Sequence, residues 1–193
     1  MLTDSLPRKA ELQDEFRQSD AMRSLDLPND ASILVYVRQI EEAMKLEDRA
    51  QLQRACNALA KSISTHFGAK PASVRILGVR PLEESGNRIE ETYGDYTFES
   101  ARIRLWMRTA VLEKVTAFGT LLSTLCHEIC HHLDVVQFGF PNTYHTRGFY
   151  ERAGLLYHHV RGTPVRKLVW DKLKNGKYRI NWAQTMRSAS TKR

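Results

Sequence analysis

The sequence predicts an α+β domain, because segments with helical periodicity alternate with two or three segments whose pattern is typical of β-strands. Its length of 193 residues is near the usual size of one domain, and 42% hydrophobic residues with 9% aromatics can fill a core. No apolar run approaches the roughly 18 residues that a membrane helix needs, and the amino terminus lacks the apolar stretch of a secretory signal. Three cysteines are too few for a disulfide framework, so we expect a cytoplasmic protein without membrane association.

The amino-terminal third is predicted to be an arm followed by two helices. Residues 1–28 are rich in charge and punctuated by prolines, which favours a flexible arm. A helix beginning near Ile33, with Asp30 or Ser32 as its cap, is indicated by apolar residues at i, i+4, i+7 and i+11. A second helix is predicted over about residues 48–66, where a similar stripe supplies an apolar face.

The middle of the chain carries the strand signals. Residues 72–79 alternate in the manner of a β-strand, and residues 83–91 form a turn-rich excursion. Residues 96–107 predict a further strand that could also be a sheet edge. Its buried face would hold Ala101, Ile103, Leu105 and Met107, and its basic, solvated face Arg102, Arg104, Trp106 and Arg108. If this strand is an exposed edge, an extended substrate could pair with it, and its arginines would favour acidic peptides.

Two more helices are expected near the carboxyl side of these strands. Thr116 is the predicted cap of a long helix that runs through roughly Asp134. A loop rich in Gly, Pro and Asn follows, and residues 146–160 then predict another helix.

The long helix contains the pattern H-E-x-x-H, formed by His127, Glu128 and His131. Positions four apart are neighbours on one face of a helix, so both imidazoles can reach one ion. Neutral imidazole suits Zn²⁺, and two such ligands with a third leave a fourth position for water. Glu128 could take the proton from that water as a general base. The pattern therefore predicts one catalytic zinc ion per chain.

The context of the motif supports this prediction, because the helix separates into two faces. Apolar residues lie opposite His127 and would anchor the helix: Phe118, Leu122, Leu125 and Ile129. Polar residues fall on the side of His127 and would meet a cavity: Thr120, Thr124, His131 and Asp134. Three further residues of this helix are expected to be packed rather than to bind the ion: Cys126, Cys130 and His132.

Three residues are candidates for the third ligand. His145 follows a loop that can turn the chain back, and the sequence favours it. Glu151 lies on the next predicted helix and remains an alternative, while Asp134 is better placed to orient a ligand than to be one. Tyr144 and Tyr150 are candidate donors to a developing oxyanion.

The stretch TLLSTLCHEICHHLD, followed by HTRGF, resembles the SprT-like (Spartan-related) zinc metallopeptidases of the HExxH zincins. In that family a third histidine stands in an H-x-x-x-F/W context, which His145 and Phe149 match, and ARIRL resembles the strand before the active-site helix. The likeness covers about residues 74–160. It implies a zincin-like fold, in which a small antiparallel or mixed sheet and an active-site helix are packed by further helices, and zinc endopeptidase activity. Two features depart from the family: Thr146 follows the histidine where Gly is frequent, and no cysteine of a zinc ribbon follows Cys130.

The predicted organisation is a flexible arm (1–28), a metallopeptidase domain (29–160) and a basic extension (161–193). The extension holds ten Lys or Arg residues and one acidic residue, Asp171, which is a net charge of +9. Such a balance suits contact with DNA as well as a simple solvated tail, and three aromatics are available for stacking on bases: Trp170, Tyr178 and Trp182.

We therefore expect a metalloprotease that acts on a protein or peptide substrate. One alternative is a nucleic-acid-associated module with a structural metal, completed by Cys130 or Asp134. Another is a non-peptidase hydrolase in which Glu151 is the third ligand.

Overall fold

A computed structural model describes residues 1–85 and 88–188 of the chain. Its described part contains helices and a small mixed sheet, so the predicted α+β class is confirmed. The helices are α1 (Ala10–Ala21), α2 (Ser32–Lys45), α3 (Arg49–His66), α4 (Phe118–Leu133), α5 (Arg147–Arg161) and α6 (Trp182–Ser188). The strands are β1 (Ser73–Val79), β2 (Leu82–Ser85), β3 (Arg88–Glu91), β4 (Gly94–Thr97), β5 (Arg102–Arg108), β6 (Trp170–Lys172) and β7 (Tyr178–Ile180). In the described ranges, no helix has the length and apolarity to cross a bilayer.

The main sheet has the order β1-β5-β4, with β5 parallel to β1 and antiparallel to β4. Strand β5 is therefore central, and the expectation that residues 101–108 could form an edge for an incoming substrate is wrong. The prediction of one strand over 96–107 is also wrong, because the chain turns between β4 and β5. Ala101 completes this turn with a φ of 46°. The turn residues 98–101 include no Gly, Pro, Asn or Asp, and Ser100 alone is of a turn-favouring type, so the sequence signal for a break is weak.

The core lies between this sheet and the helices α3 and α4, which pack on β1 and β5. Alternate residues of the two strands point into it: Val74, Ile76, Ile103 and Leu105. The opposite face exposes Arg102 and Arg104 as predicted, but Trp106 is buried instead of solvated. Strands β2 and β3 pair as a separate antiparallel hairpin. The predicted turn-rich excursion over residues 83–91 therefore contains two strands, and its residues 86–87 lie outside the described residues.

The caps predicted for α2 and α4 are not formed as expected. The N-cap residue of α2 is Ala31, without a side-chain cap, although Asp30 accepts a hydrogen bond from the Ser32 N–H (2.9 Å). Two other helices have side-chain caps for which no prediction was made. Asp48 caps α3 by accepting from the Gln51 N–H, and Thr146 caps α5 by accepting from the Phe149 N–H. The prediction that Thr116 caps α4 is wrong, because its hydroxyl instead accepts a hydrogen bond from the buried Arg80. A π-helical turn, Asp134–Phe138, continues α4.

The expectation of a flexible arm over residues 1–28 requires correction, because α1 lies within it and packs on α5. Ser19 is buried and its hydroxyl hydrogen-bonds to the Thr146 hydroxyl (3.1 Å). Asp20 accepts hydrogen bonds from the backbone and the guanidinium of Arg147. Since α1 has few apolar residues, its sequence lacks the broad stripe that marks a packed helix, and these polar contacts do much of the anchoring.

Gly148 lets the end of α1 approach the first turn of α5 closely. A Cβ atom at this position would lie 2.1 Å from the Ser19 carbonyl oxygen and 2.7 Å from that of Met22. Since both atoms belong to the backbone of the α1 end, a side chain at position 148 would force the two elements apart.

Gly148→Ala is therefore expected to lower the free energy of unfolding by about 1–3 kcal/mol, the usual cost of overpacking. Gly154→Ala is the matched control, because Gly154 lies in the same helix and a Cβ atom there meets nothing within 4 Å. The control is expected to stabilise the helix by up to about 1 kcal/mol. Urea unfolding of both variants tests the packing; equal effects of the same sign would contradict it.

Candidate metal centre

Three histidines converge in one cleft. His127 and His131 lie one turn apart on α4, and His145 lies just before α5. The Nε2 atoms of His127 and His131 are 3.0 Å apart, and that of His145 lies 3.1 Å from the first and 3.2 Å from the second. The three rings thus direct the same nitrogen to one point, which is the arrangement of a group that could hold a metal ion.

The electrostatics of the site favour the neutral imidazoles that a metal requires. Burial, followed by the nearby His145, lowers the pKa of His127 to about 3. Burial, followed by the neighbouring His127 and His145, lowers the pKa of His131 to about 2. Neither ring is protonated at neutral pH, so a nitrogen lone pair of each ring is available to a cation.

A chain of hydrogen-bonded polar side chains begins at Nδ1 of His131, the ring nitrogen that points away from the other two histidines. This atom lies 2.7 Å from the Thr143 hydroxyl, which donates to Asp134 at 3.3 Å. Asp134 in turn accepts two hydrogen bonds from Arg152, at 2.8 and 2.9 Å, and both members of this ion pair are fully buried. Arg152 also donates to the carbonyl oxygen of Ser19 in α1 (3.0 Å). The orientation of the His131 ring therefore depends on a network that reaches the amino-terminal helix.

Glu128 lies in the same cleft as the histidines and is buried. Burial raises the pKa of its carboxyl to about 8, and the negative charge of Asp95 adds to this effect. Strand β4 forms the facing wall of the cleft. Gly94 allows that strand to lie against α4, since a Cβ atom there would come within 2.5 Å of the Thr124 methyl group. The cleft thus has a carboxyl group and three imidazoles on one side and a strand on the other.

The structure brings His145 to the cluster and places the other two candidates for the third ligand elsewhere. Glu151 accepts hydrogen bonds from Arg23 and from the indole N–H of Trp170, both at 3.1 Å. Asp134 is held by Arg152 and Thr143 and stands behind His131 rather than beside the ligand nitrogens.

The two tyrosine candidates are engaged outside the cluster of ring nitrogens. The Tyr150 hydroxyl donates to the carbonyl oxygen of Leu2 (3.1 Å), while its ring stacks on that of His145. The ring of Tyr144 packs against Phe16 of α1. These contacts show Tyr150 as a support for His145 in this conformation, rather than as a donor directed into the cleft.

The residues expected to be packed are buried. Cys126 and Cys130 lie in the core, where burial raises the pKa of both thiols. His132 accepts from the Tyr96 hydroxyl at Nδ1 (2.9 Å) and donates from Nε2 to the Lys70 carbonyl oxygen (2.7 Å). Both ring nitrogens of His132 are therefore used in packing α4 against the sheet.

Sequence reasoning missed three residues around the site: Asp4, Thr143 and Arg152. Only Arg152 had a signal, because it lies on the buried stripe of α5 with Phe149, Leu156 and Val160. An arginine on such a stripe indicates a buried acidic partner. Asp4 and Thr143 lie in loops, and no pattern in their local sequence predicts their contacts.

Comparisons of this chain with family models, curated proteins and solved structures found no match. The assignment of a function to this site therefore depends on its geometry and chemistry.

Proposed function

We propose that this chain is a zinc metallopeptidase of the SprT-like, zincin type that hydrolyses peptide bonds. The observation that carries the proposal is the convergence of three imidazole Nε2 atoms, 3.0–3.2 Å apart, in a cleft that also contains Glu128. The cleft thus contains three candidate zinc ligands, His127, His131 and His145, and a candidate general base, Glu128.

The donor set fits zinc. Zinc binds imidazole nitrogen at about 2.0–2.1 Å in a tetrahedral arrangement, which separates neighbouring ligand atoms by about 3.3 Å. The separations here, 3.0–3.2 Å, are close to that spacing. His127, His131 and His145 would hold the ion, and three protein ligands are the number that catalytic zinc sites use.

A zinc ion bound there would lower the pKa of water to about 7 and polarise the carbonyl group of the scissile bond. Glu128 would accept the proton of the attacking water on its carboxylate and later donate it to the nitrogen of the leaving amine. Burial raises the pKa of Glu128 to about 8, but a nearby positive charge favours the carboxylate form. Glu128 can therefore act as a base in the loaded site.

Strand β4 is the best candidate to hold an extended substrate. Among the described residues it has one strand neighbour, β5, so its other edge offers unpaired backbone groups beside the cleft. The arginines of β5 are less suited to select acidic peptides than the sequence indicated, because the guanidinium of Arg104 is paired with Asp95 of β4.

The two alternative functions have less support from the positions of their residues. A structural site needs a fourth protein ligand, yet in the chain as described the group consists of three histidines, while Cys130 is in the core and Asp134 pairs with Arg152. A hydrolase that uses Glu151 as a ligand would need that side chain to leave Arg23 and Trp170.

Association with DNA is a further part of the proposal, and it is supported by charge. The hairpin of β6 and β7 carries exposed basic side chains at Lys172, Lys174 and Arg179. Of the aromatics considered for stacking, Trp182 is exposed, while Tyr178 lies under the Arg147 guanidinium at 4.1 Å. Ionic contacts between such basic side chains and phosphates would weaken steeply as the salt concentration rises.

Zinc content and cleavage of casein by the wild type, His145→Ala and Glu151→Ala test the proposal. We expect one zinc ion per chain and cleavage in the wild type and in Glu151→Ala. His145→Ala should lose zinc affinity by more than about 100-fold, since it removes a ligand rather than a supporting group, and should lose cleavage with it.

A wild type that binds no zinc would refute the metal centre, and a loss of zinc in Glu151→Ala alone would favour the other third ligand. Cleavage is also measured with single-stranded DNA at low and high salt. Stimulation that disappears at high salt would support the DNA contact, and no effect at either salt concentration would remove it from the proposal.

A further inference from the structure

Residues Met1–Asp4 form a strap that passes beside the metal centre. The Thr3 N–H donates to the Tyr178 carbonyl oxygen, and the Tyr178 N–H donates to the Thr3 hydroxyl, both at 2.9 Å. The Ile180 N–H donates to the carbonyl oxygen of Met1 (3.3 Å). Because these bonds add the strap to β7, they fix its path, and Thr3 is buried.

The strap meets the third histidine at Asp4. The Asp4 N–H donates to the His145 carbonyl oxygen (2.9 Å), and the His145 N–H donates to Oδ2 of Asp4 (2.8 Å). The same carboxylate oxygen lies 3.6 Å from Nδ1 of the His145 ring. Since Nε2 of this ring faces His127 and His131, the carboxylate stands on the edge of the ring that points away from the ligand cluster.

Metal-binding imidazoles usually give their second ring nitrogen to a carboxylate, a carbonyl or a water, which fixes the ring and raises its basicity. We propose that Asp4 is a positioning residue for His145, so that the strap is a part of the metal centre. This inference rests on the proposed function, because it assigns an outer partner to one of its three ligands. The second ring nitrogen of His131 contacts Thr143. Tyr150 stacks on the face of the His145 ring, so the ring edge that carries Nδ1 can be contacted by Asp4.

The test is the zinc dissociation constant, measured by competition with a chelator for the wild type, Asp4→Asn, Asp4→Ala and Asp14→Asn. Asp4→Ala should raise the constant by about 10- to 100-fold. Asp4→Asn should have a smaller effect, because its amide oxygen can still accept from the His145 N–H but carries no charge. Asp14→Asn is the matched control: Asp14 is an exposed carboxylate of α1 that pairs with Arg17, and its removal should leave zinc affinity unchanged.

A second measurement separates positioning from folding. The metal-free Asp4→Asn protein should unfold at the same urea concentration as the metal-free wild type, and its cobalt complex should show a changed visible spectrum. Wild-type zinc affinity in both Asp4 variants would overturn the inference. So would a loss of affinity that merely follows a loss of stability in the metal-free proteins. A wild type that binds no zinc would instead refute the proposed function itself, and this inference would fail with it.

Discussion

Glu128→Gln is expected to lower the rate of peptide cleavage by about 10²- to 10⁴-fold, the range that a general base contributes, and to leave zinc binding intact. Glutamine has nearly the shape of glutamate but cannot take a proton from water. The three imidazole nitrogens that would hold the ion are unchanged, because Glu128 is not among the cluster of ligand atoms. Cleavage assays on zinc-loaded protein, with the metal content measured on the same sample, check both halves of this expectation.

The metal-free variant provides an independent readout. Burial raises the pKa of Glu128 to about 8. A buried carboxyl of this kind opposes folding when it is ionised, so Glu128→Gln should be at least as stable as the wild type. A loss of stability in the variant would mean that lost activity has a structural cause.

Glu151→Gln is the matched control, because it makes the same change on the neighbouring helix at a residue that pairs with Arg23 and Trp170. It should retain cleavage. Normal cleavage by Glu128→Gln would refute the proposed mechanism, whatever the metal content.

The candidate ligands could be predicted from the sequence because their spacing is a property of one helix. Residues four apart share a face, so His127 and His131 needed no knowledge of the rest of the fold. His145 was harder to predict, since it lies beyond a loop, and its place depends on the turn that Gly139 and the following residues make. The residues that contact the candidate ligands from outside could not be predicted, because they lie still farther away in the sequence. Asp4 and His145, for example, are 141 positions apart.

The largest errors in the predicted fold occurred where polar contacts or turns replace the usual signals. The helix α1 buries Ser19 and uses Asp20 to bind Arg147, so charge that indicated a flexible arm in fact anchors it. The turn before β5 has a positive φ at Ala101, which alanine rarely adopts, so the sequence predicts one strand where the structure has two. Periodicity detects broad apolar faces, whereas α1 has few apolar residues and the turn has no such face.

Arg152→Met is expected to lower the free energy of unfolding of the metal-free protein by about 3–5 kcal/mol, the cost of leaving a buried charge without its partner. Both members of the pair with Asp134 are fully buried, and Arg152 also donates to the carbonyl oxygens of Ser19 and Met22. Arg23→Met is the control, because Arg23 makes an ion pair at the surface, and surface pairs contribute about 0–1 kcal/mol. Urea unfolding measures both variants.

The pH dependence of the unfolding free energy shows whether the loss of the Arg152 charge causes the destabilisation. Burial raises the pKa of Asp134 to about 6, although Arg152 acts to lower it. Without Arg152 the pKa rises further, so the folded variant binds a proton that the unfolded chain has released, and its stability falls as pH rises. The loss of unfolding free energy in Arg152→Met relative to the wild type should therefore be larger at about pH 8 than at about pH 5.5.

A second substitution separates charge from packing. Adding Asp134→Asn to Arg152→Met removes the unpaired carboxylate while keeping an acceptor for the Thr143 hydroxyl. The double variant should recover part of the lost unfolding free energy, and its remaining deficit relative to the wild type should no longer grow as pH rises. If the double variant is as unstable as Arg152→Met at every pH, the loss comes from the missing contacts to α1. Arg152 would then act by joining the amino-terminal helix to the site, and its charge would be incidental.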